Sequence, residues 1–489
     1  RDAQESRGLG DVYKRQHIYY MKRLALILGA MFAATGISAK VTLPKMFADG
    51  MVMQRETNAN LWGEAKASAT VKITTSWNKK TYSVKADSNG KWKASVSTPE
   101  AGGPYSITLS DGEKTILNNI LIGEVWICSG QSNMEMPMKG FKNQPVENAV
   151  EDILHSNDSN LRLFTVKRNS KFSPVDTVSG SWKEGCPASV REFSATAYYF
   201  GRELRQALNV PVGLIVAAWG GSACEAWMTA DWLKAFPDAK IPASPEDIKS
   251  KNRTPTVLYN GMLHPLIGYT MRGVIWYQGE DNVTRYQTYA DMMTAMIKGW
   301  RSQWGQGEFP FYYCQIAPYD YKLINYTINS ALLREQQAKA ELMNTNCGMA
   351  VLMDAGLEYG IHPRKKNLAG MRLALLALSK TYGIEGLTAE SAYYKDVTFK
   401  NDTAVVTFNR AKMWIYGRNG LKSDLFEVAG EDRVFHPAKA WIERSKMYVK
   451  SDSVKKPVAV RYAFKDWADG DLFCDGLPVS SFRTDNWDE

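Results

Sequence analysis

Paired cysteines are missing from this sequence. Its 489 residues contain six cysteines, and no two of them form a Cys-x-x-Cys pair. We therefore expect no metal site. Whether the cysteines form disulfides stays open, because their positions in the sequence do not determine a pairing.

Long apolar runs and basic runs are also missing. The apolar run at 24–34 is shorter than the ~20 residues that cross a bilayer, so we expect no transmembrane segment in the mature chain. The formal net charge is +9, but no run or stripe of Lys and Arg concentrates it. This charge favours solubility and does not indicate nucleic acid as a partner.

Residues 1–39 do not look like part of the mature protein. Residues 1–20 lack an initiator methionine, and we interpret them as foreign to the gene. Met21 then begins a basic pair, a short apolar run and a small-residue stretch, the pattern of a secretory signal peptide over 21–39. We expect the mature chain to start near Lys40 and to be secreted or periplasmic.

The chain is too long for one hydrophobic core, and its pattern changes twice. Residues 40–118 are short alternating runs separated by turn signals, which predict an N-terminal β-sandwich domain. Residues 119–386 alternate strand and helix patterns and predict an α/β catalytic domain, with a polar insertion at about 230–253. Residues 387–489 return to short alternating runs and predict a C-terminal β region.

Within 119–386 we expect a parallel sheet with helices on both faces. Strand patterns lie at 120–128, 161–166, 212–218, 273–277, 311–316 and 349–353. Helix patterns lie at 146–155, 194–208, 286–304, 330–343 and 365–382. Sites in such sheets form at the carboxyl ends of the strands. Polar residues that directly follow a strand are therefore the candidates for chemistry.

Ser132 is the first such candidate. It belongs to a cluster of small polar residues, Ser129-Gly-Gln-Ser-Asn133, that ends the apolar strand pattern at 120–128. Such a cluster is by itself more typical of an ordinary turn. Ester cleavage by a serine also needs a base near the hydroxyl and donors that face the oxyanion.

Histidine, the usual base, is scarce enough to sort the candidates. Four histidines follow residue 39, at positions 155, 264, 362 and 436. His362 follows the last predicted strand, at the same sheet edge as Ser132, and we take it as the base. For His264, which precedes an apolar stretch, we favour a core hydrogen bond.

Two further strand-end loops are rich in hydrogen-bond donors. In Trp219-Gly-Gly-Ser222 the glycines either make a tight turn or let backbone amides face a ligand. In Trp276-Tyr-Gln-Gly-Glu280 and the residues after it, the side-chain amide of Gln278 or Asn282 is a candidate to complete an oxyanion hole. A serine, two donor loops and a histidine at four strand ends together favour a serine esterase.

The motifs Gly-Gln-Ser-Asn-Met, Trp-Gly-Gly-Ser, Tyr-Gln-Gly-Glu and Ile-His-Pro together resemble those of the sialate O-acetylesterase family, a carbohydrate-esterase branch of the SGNH (GDSL-like) hydrolases. The resemblance runs from Phe47 to Asp485. It implies a flavodoxin-like α/β/α catalytic domain flanked by β regions. It also implies removal of acetyl groups from sugar hydroxyls without a cofactor.

The resemblance assigns roles to individual residues. Ser132 is the implied nucleophile and His362 the implied base. The implied oxyanion donors are the backbone amides of Ser132 and of Gly220 or Gly221, together with the Gln278 side chain.

The acid that orients the histidine is not fixed by the motif. Many SGNH enzymes have an aspartate three residues before the histidine, where this sequence has Tyr359. Among the nearby carboxylates we favour Glu358 as the partner of His362, with Glu280 and Asp354 as alternatives.

Three functions remain in competition. The first is an exported O-acetylesterase that acts on sialic acids. The second is an acetylesterase that acts on plant or bacterial polysaccharide such as acetylxylan. The third is a carbohydrate-binding protein without catalysis, against which the retained Ser132 and His362 argue. The expected partner is an O-acetylated sugar, and the sequence leaves the oligomeric state open.

Overall fold

The computed structural model describes residues 40–411 and 414–487. The segments interpreted as foreign sequence and as a signal peptide lie outside these residues. The described chain has a mixed α/β fold organised around one 11-stranded sheet. No two of the six cysteines are joined by a disulfide in the described residues. None of the helices in the described ranges has the length and apolar character needed to cross a bilayer.

The N-terminal region consists of strands, as its alternating sequence predicts. They are β1 (Val52–Gln54), β2 (Thr57–Glu64), β3 (Thr70–Thr75), β4 (Thr81–Lys85), β5 (Lys91–Thr98), β6 (Gly102–Ser110) and β7 (Lys114–Gly130). β2 and β5 form a separate antiparallel pair. β3, β4, β6 and the first half of β7 are antiparallel neighbours within the large sheet.

β7 joins this region to the rest of the molecule. It is 17 residues long. Its first half pairs with β6, whereas its second half lies between two parallel strands, β10 (Val212–Ala218) and β11 (Gly273–Tyr277). The boundary predicted at 118/119 therefore falls inside one continuous strand.

The second half of β7 belongs to a mostly parallel part of the large sheet. The other strands of this part are β8 (Asp158–Thr165), β9 (Trp182–Gly185), β10, β11, β12 (Phe311–Cys314) and β13 (Cys347–Ala350). The order is β13-β12-β11-β7-β10-β8-β9, with β9 antiparallel at the edge. The first parallel strand, β7, thus lies between the third and the fourth. Without the edge strands β8 and β9, the order β10-β7-β11-β12-β13 places the first strand between the second and the third, as a flavodoxin-like order does. The flavodoxin-like detail itself stays a prediction.

Each of the five predicted helices has an α-helix close to its predicted position, and three helices of four residues each were not predicted. The α-helices are α1 (Ser132–Glu135), α2 (Ala149–Leu154), α3 (Pro187–Val190), α4 (Ala195–Leu208), α5 (Ala230–Leu233), α6 (Tyr289–Trp304), α7 (Ala331–Met343) and α8 (Lys366–Leu376). A π-helical turn at Ala377–Thr381 extends α8. The predicted insertion at 230–253 contains α5 and a 3₁₀ turn at Pro245–Asp247.

Helices cover both faces of the parallel strands. Along β7, Trp126 and Cys128 belong to one buried cluster with side chains of α4 and α8. Val125 and Ile127 point to the other face and join a cluster that includes Trp300 of α6. Strands buried on both faces have continuous apolar sequences, which is why this part of the sheet was recognisable from sequence.

The C-terminal region consists of three antiparallel sheets. The strands are β14 (Tyr393–Lys400), β15 (Thr403–Asn409), β16 (Ile415–Gly417), β17 (Lys422–Ser423), β18 (Phe426–Ala429), β19 (Phe435–Pro437), β20 (Lys439–Glu443), β21 (Lys446–Lys450), β22 (Ala459–Tyr462), β23 (Leu472–Cys474), β24 (Leu477–Pro478) and β25 (Phe482–Arg483). One sheet has the order β14-β15-β21-β20-β17, the second β19-β18-β22-β25 and the third β16-β23-β24.

Candidate active site

Gly130 ends β7 in a backbone conformation that favours glycine. Its φ is +136°, and a Cβ atom there would lie 2.1 Å from the carbonyl oxygen of Tyr277 on β11. The chain turns tightly at this point, where the Gln131 amide donates to the same oxygen at 2.9 Å. Ser132 begins helix α1 directly after the turn and is 9% exposed. Ser132 therefore lies at the carboxyl edge of the parallel strands.

The loop after β10 lies against Ser132. A Cβ atom on Gly220 would lie 3.3 Å from Ser132 Cβ. The Gly220 amide donates to Glu135 Oε2 at 2.7 Å, and Gly220 O accepts from Asn252 Nδ2 at 2.7 Å. The amides of Ser132 and Gly221, in contrast, meet no hydrogen-bond acceptor among the described residues. Of the backbone donors implied by the resemblance, these two are free to bind an oxyanion.

The Gln278 side chain has other partners. It is fully buried, and its Nε2 donates to Ser222 O at 3.0 Å and to Asn282 Oδ1 at 2.7 Å. Its Oε1 accepts from the Tyr289 hydroxyl at 2.8 Å. Both donor hydrogens are thus occupied. The structure places Gln278 in the packing between the loops after β10 and β11 and not in the predicted oxyanion hole.

His362 lies in the loop between β13 and α8 and is partly buried. Its Nδ1 is hydrogen-bonded to Gln144 Oε1, and its ring makes an edge contact with Phe141 at 5.1 Å between centroids. Because the amide oxygen only accepts, Nδ1 carries the hydrogen and Nε2 keeps its lone pair. Burial, with the nearby positive charge of Lys366, lowers the pKa of His362 from 6.5 to about 4. The imidazole is therefore neutral at pH 7, as a general base requires.

None of the three candidate acids forms a hydrogen bond or an ion pair with His362 within the described ranges. Asp354 forms a bidentate ion pair with Arg372 of α8, with both N–O distances 2.7 Å. Glu358 makes no side-chain hydrogen bond there, and its backbone carbonyl accepts from the Asp320 amide at 3.3 Å. Asp354 thus anchors its loop to α8, and the position expected for the acid is occupied by the amide of Gln144.

Glu280 bonds to Asn133, in the loop of Ser132, and not to His362. Its Oε1 accepts a hydrogen bond from Asn133 Nδ2, while its Oε2 is buried without a partner among the described residues. Asn133 Nδ2 also donates to Ile361 O at 3.2 Å, and Asn133 Oδ1 accepts from Lys366 Nζ at 2.6 Å. Asn133 follows Ser132, and Ile361 precedes His362. Hydrogen bonds of Asn133 therefore connect the loop of Ser132 to the loop of His362 at this edge.

Three residues of this edge were not among the predicted site residues: Gln144, Asn133 and Lys366. Gln144 lies in a loop 218 positions from His362, and no pattern in the sequence marks it. A weak signal existed for the other two. Asn133 is adjacent to Ser132, and Lys366 lies four residues after His362, in the first turn of the helix predicted at 365–382.

Two further points concern His264 and metal binding. His264 Nδ1 pairs with Val175 O at 3.0 Å, which is the structural hydrogen bond expected of it. In the described ranges, no group of three or more His, Cys, Asp or Glu side chains is arranged to hold a metal ion.

Comparison with known proteins adds a family context. Residues 122–362 match the family described as carbohydrate esterase, sialic acid-specific acetylesterase. A sialate O-acetylesterase from Rattus norvegicus is 30% identical over 424 residues, 74% of this chain and 77% of that protein. One from Homo sapiens is 31% identical over 374 residues, 70% of this chain and 71% of that protein. The crystal structure of a carbohydrate acetylesterase from Xanthomonas citri superposes with a TM-score of 0.84 at 37% identity, covering 91% of this chain and 100% of the other.

Proposed function

This chain belongs to the sialate O-acetylesterase family and is a carbohydrate esterase, and we propose that it deacetylates sialic acids with Ser132 and His362 as its catalytic pair. One observation carries this assignment. Ser132 Oγ and His362 Nε2 meet no hydrogen-bond partner among the described residues and, unlike Glu280 Oε2, are not sealed from solvent. The amides of Ser132 and Gly221 are likewise unpaired there. A hydroxyl, a basic nitrogen and two backbone donors that the protein leaves unpaired at one sheet edge are available to a substrate.

The reaction follows from these groups. Ser132 Oγ attacks the acetyl carbonyl carbon while His362 Nε2 takes the hydroxyl proton. The amides of Ser132 and Gly221 donate to the carbonyl oxygen as it becomes an oxyanion. The C–O bond to the sugar then breaks, and the sugar oxygen takes the proton from His362. Water, deprotonated by the same nitrogen, attacks the acetyl-Ser132 ester, and acetate leaves as Ser132 recovers its proton.

Arg253 supports an acidic sugar as the substrate. Its side chain is 58% exposed, and only its Nε is held, by Asp281 at 2.6 Å. A terminal nitrogen lies 3.9 Å from where a Cβ of Gly221 would be, next to the free amide. Sialic acids carry a carboxylate, and an exposed guanidinium is a suitable bidentate donor for it. The predicted insertion at 230–253 supplies this arginine.

The test is acetate release from a matched panel of substrates. We expect O-acetylated sialic acids to be turned over with a higher kcat/KM than acetylated xylan or a neutral acetylated monosaccharide. The Ser132→Ala protein is the blank for each substrate. A higher kcat/KM on acetylated xylan would transfer the assignment to polysaccharide deacetylation with the same catalytic pair.

Hydrolysis of p-nitrophenyl acetate separates catalysis from simple carbohydrate binding. We expect the purified protein to release p-nitrophenol and the Ser132→Ala variant not to do so. If neither releases it and neither deacetylates a sugar, the chain is a binding protein on an esterase scaffold.

We also propose that the protein is exported. The proposal is supported by the basic pair, apolar run and small-residue stretch over 21–39. Expression from Met21 in a bacterial host, followed by N-terminal sequencing of the periplasmic fraction, is expected to show cleavage near Lys40. Full-length protein confined to the cytoplasm would contradict export.

A further inference from the structure

Two oppositely charged side chains, those of Lys366 and Glu280, are buried beside the loops that carry the proposed catalytic pair. Lys366 is 1% exposed and Glu280 is 4% exposed. Lys366 begins helix α8, four residues after His362, and Glu280 lies in the loop after β11. The mechanism above uses neither of them.

Asn133 lies between the two charges and bonds to both. Its Oδ1 accepts from Lys366 Nζ at 2.6 Å, and its Nδ2 donates to Glu280 Oε1. Lys366 Nζ also donates to Pro363 O at 2.9 Å, in the histidine loop. One lysine thus holds the residue after Ser132 and the residue after His362.

Apart from Asp281, the surroundings of this cluster are apolar or neutral. Apart from His362, the titratable groups that face Lys366 are the Cys314 thiol and the Tyr277 ring, whose centroid is 5.9 Å from Nζ. Those that face Glu280 include Asp281 and the phenols of Tyr277 and Tyr321. No guanidinium is within ion-pair distance of Glu280 in the part of the chain that the structure describes. Burying two charges with so little compensation costs stability.

We propose that Lys366 and Glu280 are positioning residues that fix Asn133 between them and so hold the loops of Ser132 and His362 in register. The proposal rests on the assignment of Ser132 and His362. A cluster kept for stability would satisfy the buried carboxylate fully, whereas Glu280 Oε2 has no partner within the described ranges. What the cluster does achieve is to connect three strand-end loops, after β7, β11 and β13, at the point where the reacting groups must meet.

Lys366 has a second, electrostatic effect on the proposed base. Its positive charge, together with burial, disfavours the imidazolium form of His362 and lowers the pKa of that histidine. Removing the charge is therefore expected to raise the His362 pKa. A purely structural lysine would not move this titration.

The experiment compares Lys366→Met with Lys365→Met. Lys365 is the exposed neighbour, and among the described residues its Nζ bonds only to the Asp354 carbonyl. We expect Lys366→Met to lose kcat on p-nitrophenyl acetate by on the order of tenfold to hundredfold, the scale of a small misplacement, with KM little changed. We also expect the acid limb of the pH profile of kcat/KM, where activity falls at low pH, to move to higher pH. Lys365→Met is expected to match the unsubstituted protein in both respects.

Glu280→Gln tests the other half of the cluster with minimal change in shape. The amide oxygen still accepts from Asn133, so a loss of kcat reports the missing charge, even if Lys366→Met fails to fold. In the double variant we expect a smaller loss than the product of the two single losses, because the residues act through the same Asn133. Folded variants with unchanged kcat, an unmoved acid limb or strictly multiplicative losses would overturn the proposal. Full activity in Ser132→Ala would instead overturn the catalytic assignment itself.

Discussion

Two glutamates are buried at opposite ends of the same parallel strands, Glu124 near their amino ends and Glu280 just after their carboxyl ends. Their hydrogen-bond partners and neighbouring charges differ. Glu124, on β7, accepts from Arg55 Nε at 2.6 Å and Arg272 Nε at 2.8 Å, and from Gln54 and the Tyr382 hydroxyl at 3.0 Å each. Burial opposes its ionisation, but the two guanidiniums and Gln54 outweigh burial and hold its pKa below the usual range.

Glu280, at the carboxyl edge, has one hydrogen bond to an amide and an oxygen with no partner among the described residues. Burial raises its pKa, against the opposing effects of its own backbone amide, of Asn133 and of Lys366. The Glu124 end is therefore built for stability. The Glu280 end carries unpaired polar groups and a buried Lys366–Glu280 cluster without the guanidiniums that surround Glu124, which is typical of a site adapted to a reaction.

Replacing Ser132 by Ala is expected to have the largest effect on activity. We expect a loss of at least ~10³-fold in kcat, the scale for losing one member of a catalytic triad, with no loss of folding, since Ser132 Oγ bonds to nothing in the described residues. The measurement is p-nitrophenyl acetate hydrolysis beside a thermal melt. Near-normal turnover by protein free of contaminating esterase would contradict the assignment.

Replacing Glu124 by Ala is expected to affect stability and not chemistry. The change leaves Arg55 and Arg272 without their shared partner, and breaking such a buried pair costs about 3 kcal/mol of unfolding free energy. Urea unfolding measures the cost, and kcat of the folded fraction is expected to be unchanged. A loss of kcat comparable to that of Glu280→Gln at unchanged stability would erase the contrast between the two ends.

The pH dependence of kcat/KM tests the surroundings of His362, which lies at the same end of the strands as Glu280. Its pKa of about 4 predicts that kcat/KM stays high well below pH 6.5 and falls only near pH 4. Between these values the unfolded chain binds a proton that the folded chain does not. Acidification through this window therefore also lowers the free energy of unfolding.

Gln144→Glu provides the matched variant for this titration. A carboxylate on Nδ1 favours the imidazolium, so the His362 pKa rises and the acid limb moves to higher pH. We expect Gln144→Leu, which loses the hydrogen bond without adding charge, to lower kcat with no such upward shift. An acid limb that is the same in all three proteins would mean that a different group titrates.

Glu358→Gln is expected to have the smallest effect. Its side chain has no hydrogen bond within the described ranges, and His362 bonds to Gln144 instead. We expect kcat/KM to fall by less than about tenfold, equivalent to about 1.4 kcal/mol. A loss of hundreds-fold would show that Glu358 reaches the histidine during catalysis and would restore it as the orienting acid.

Local sequence patterns predicted most of the longer helices and strands, and they placed Ser132 and His362, the proposed catalytic residues, at strand ends. The apolar run before Ser132 and the Gly130 turn specify a buried strand that stops at a serine, because both signals depend only on neighbouring residues. His362 was placed at the same edge because parallel strands bring their carboxyl ends together. The scarcity of histidine then left few alternatives.

Tertiary structure alone decided what these residues contact. Nothing local distinguishes a glutamine that faces an oxyanion from one that packs inward, and Gln278 packs inward because Ser222, Asn282 and Tyr289 satisfy all its polar atoms. Gln144 meets His362 across 218 positions of sequence. Such pairings depend on how separate loops converge in three dimensions. The sequence therefore indicated the proposed nucleophile, Ser132, and the proposed base, His362, while only the folded chain determined their hydrogen-bond partners and charges.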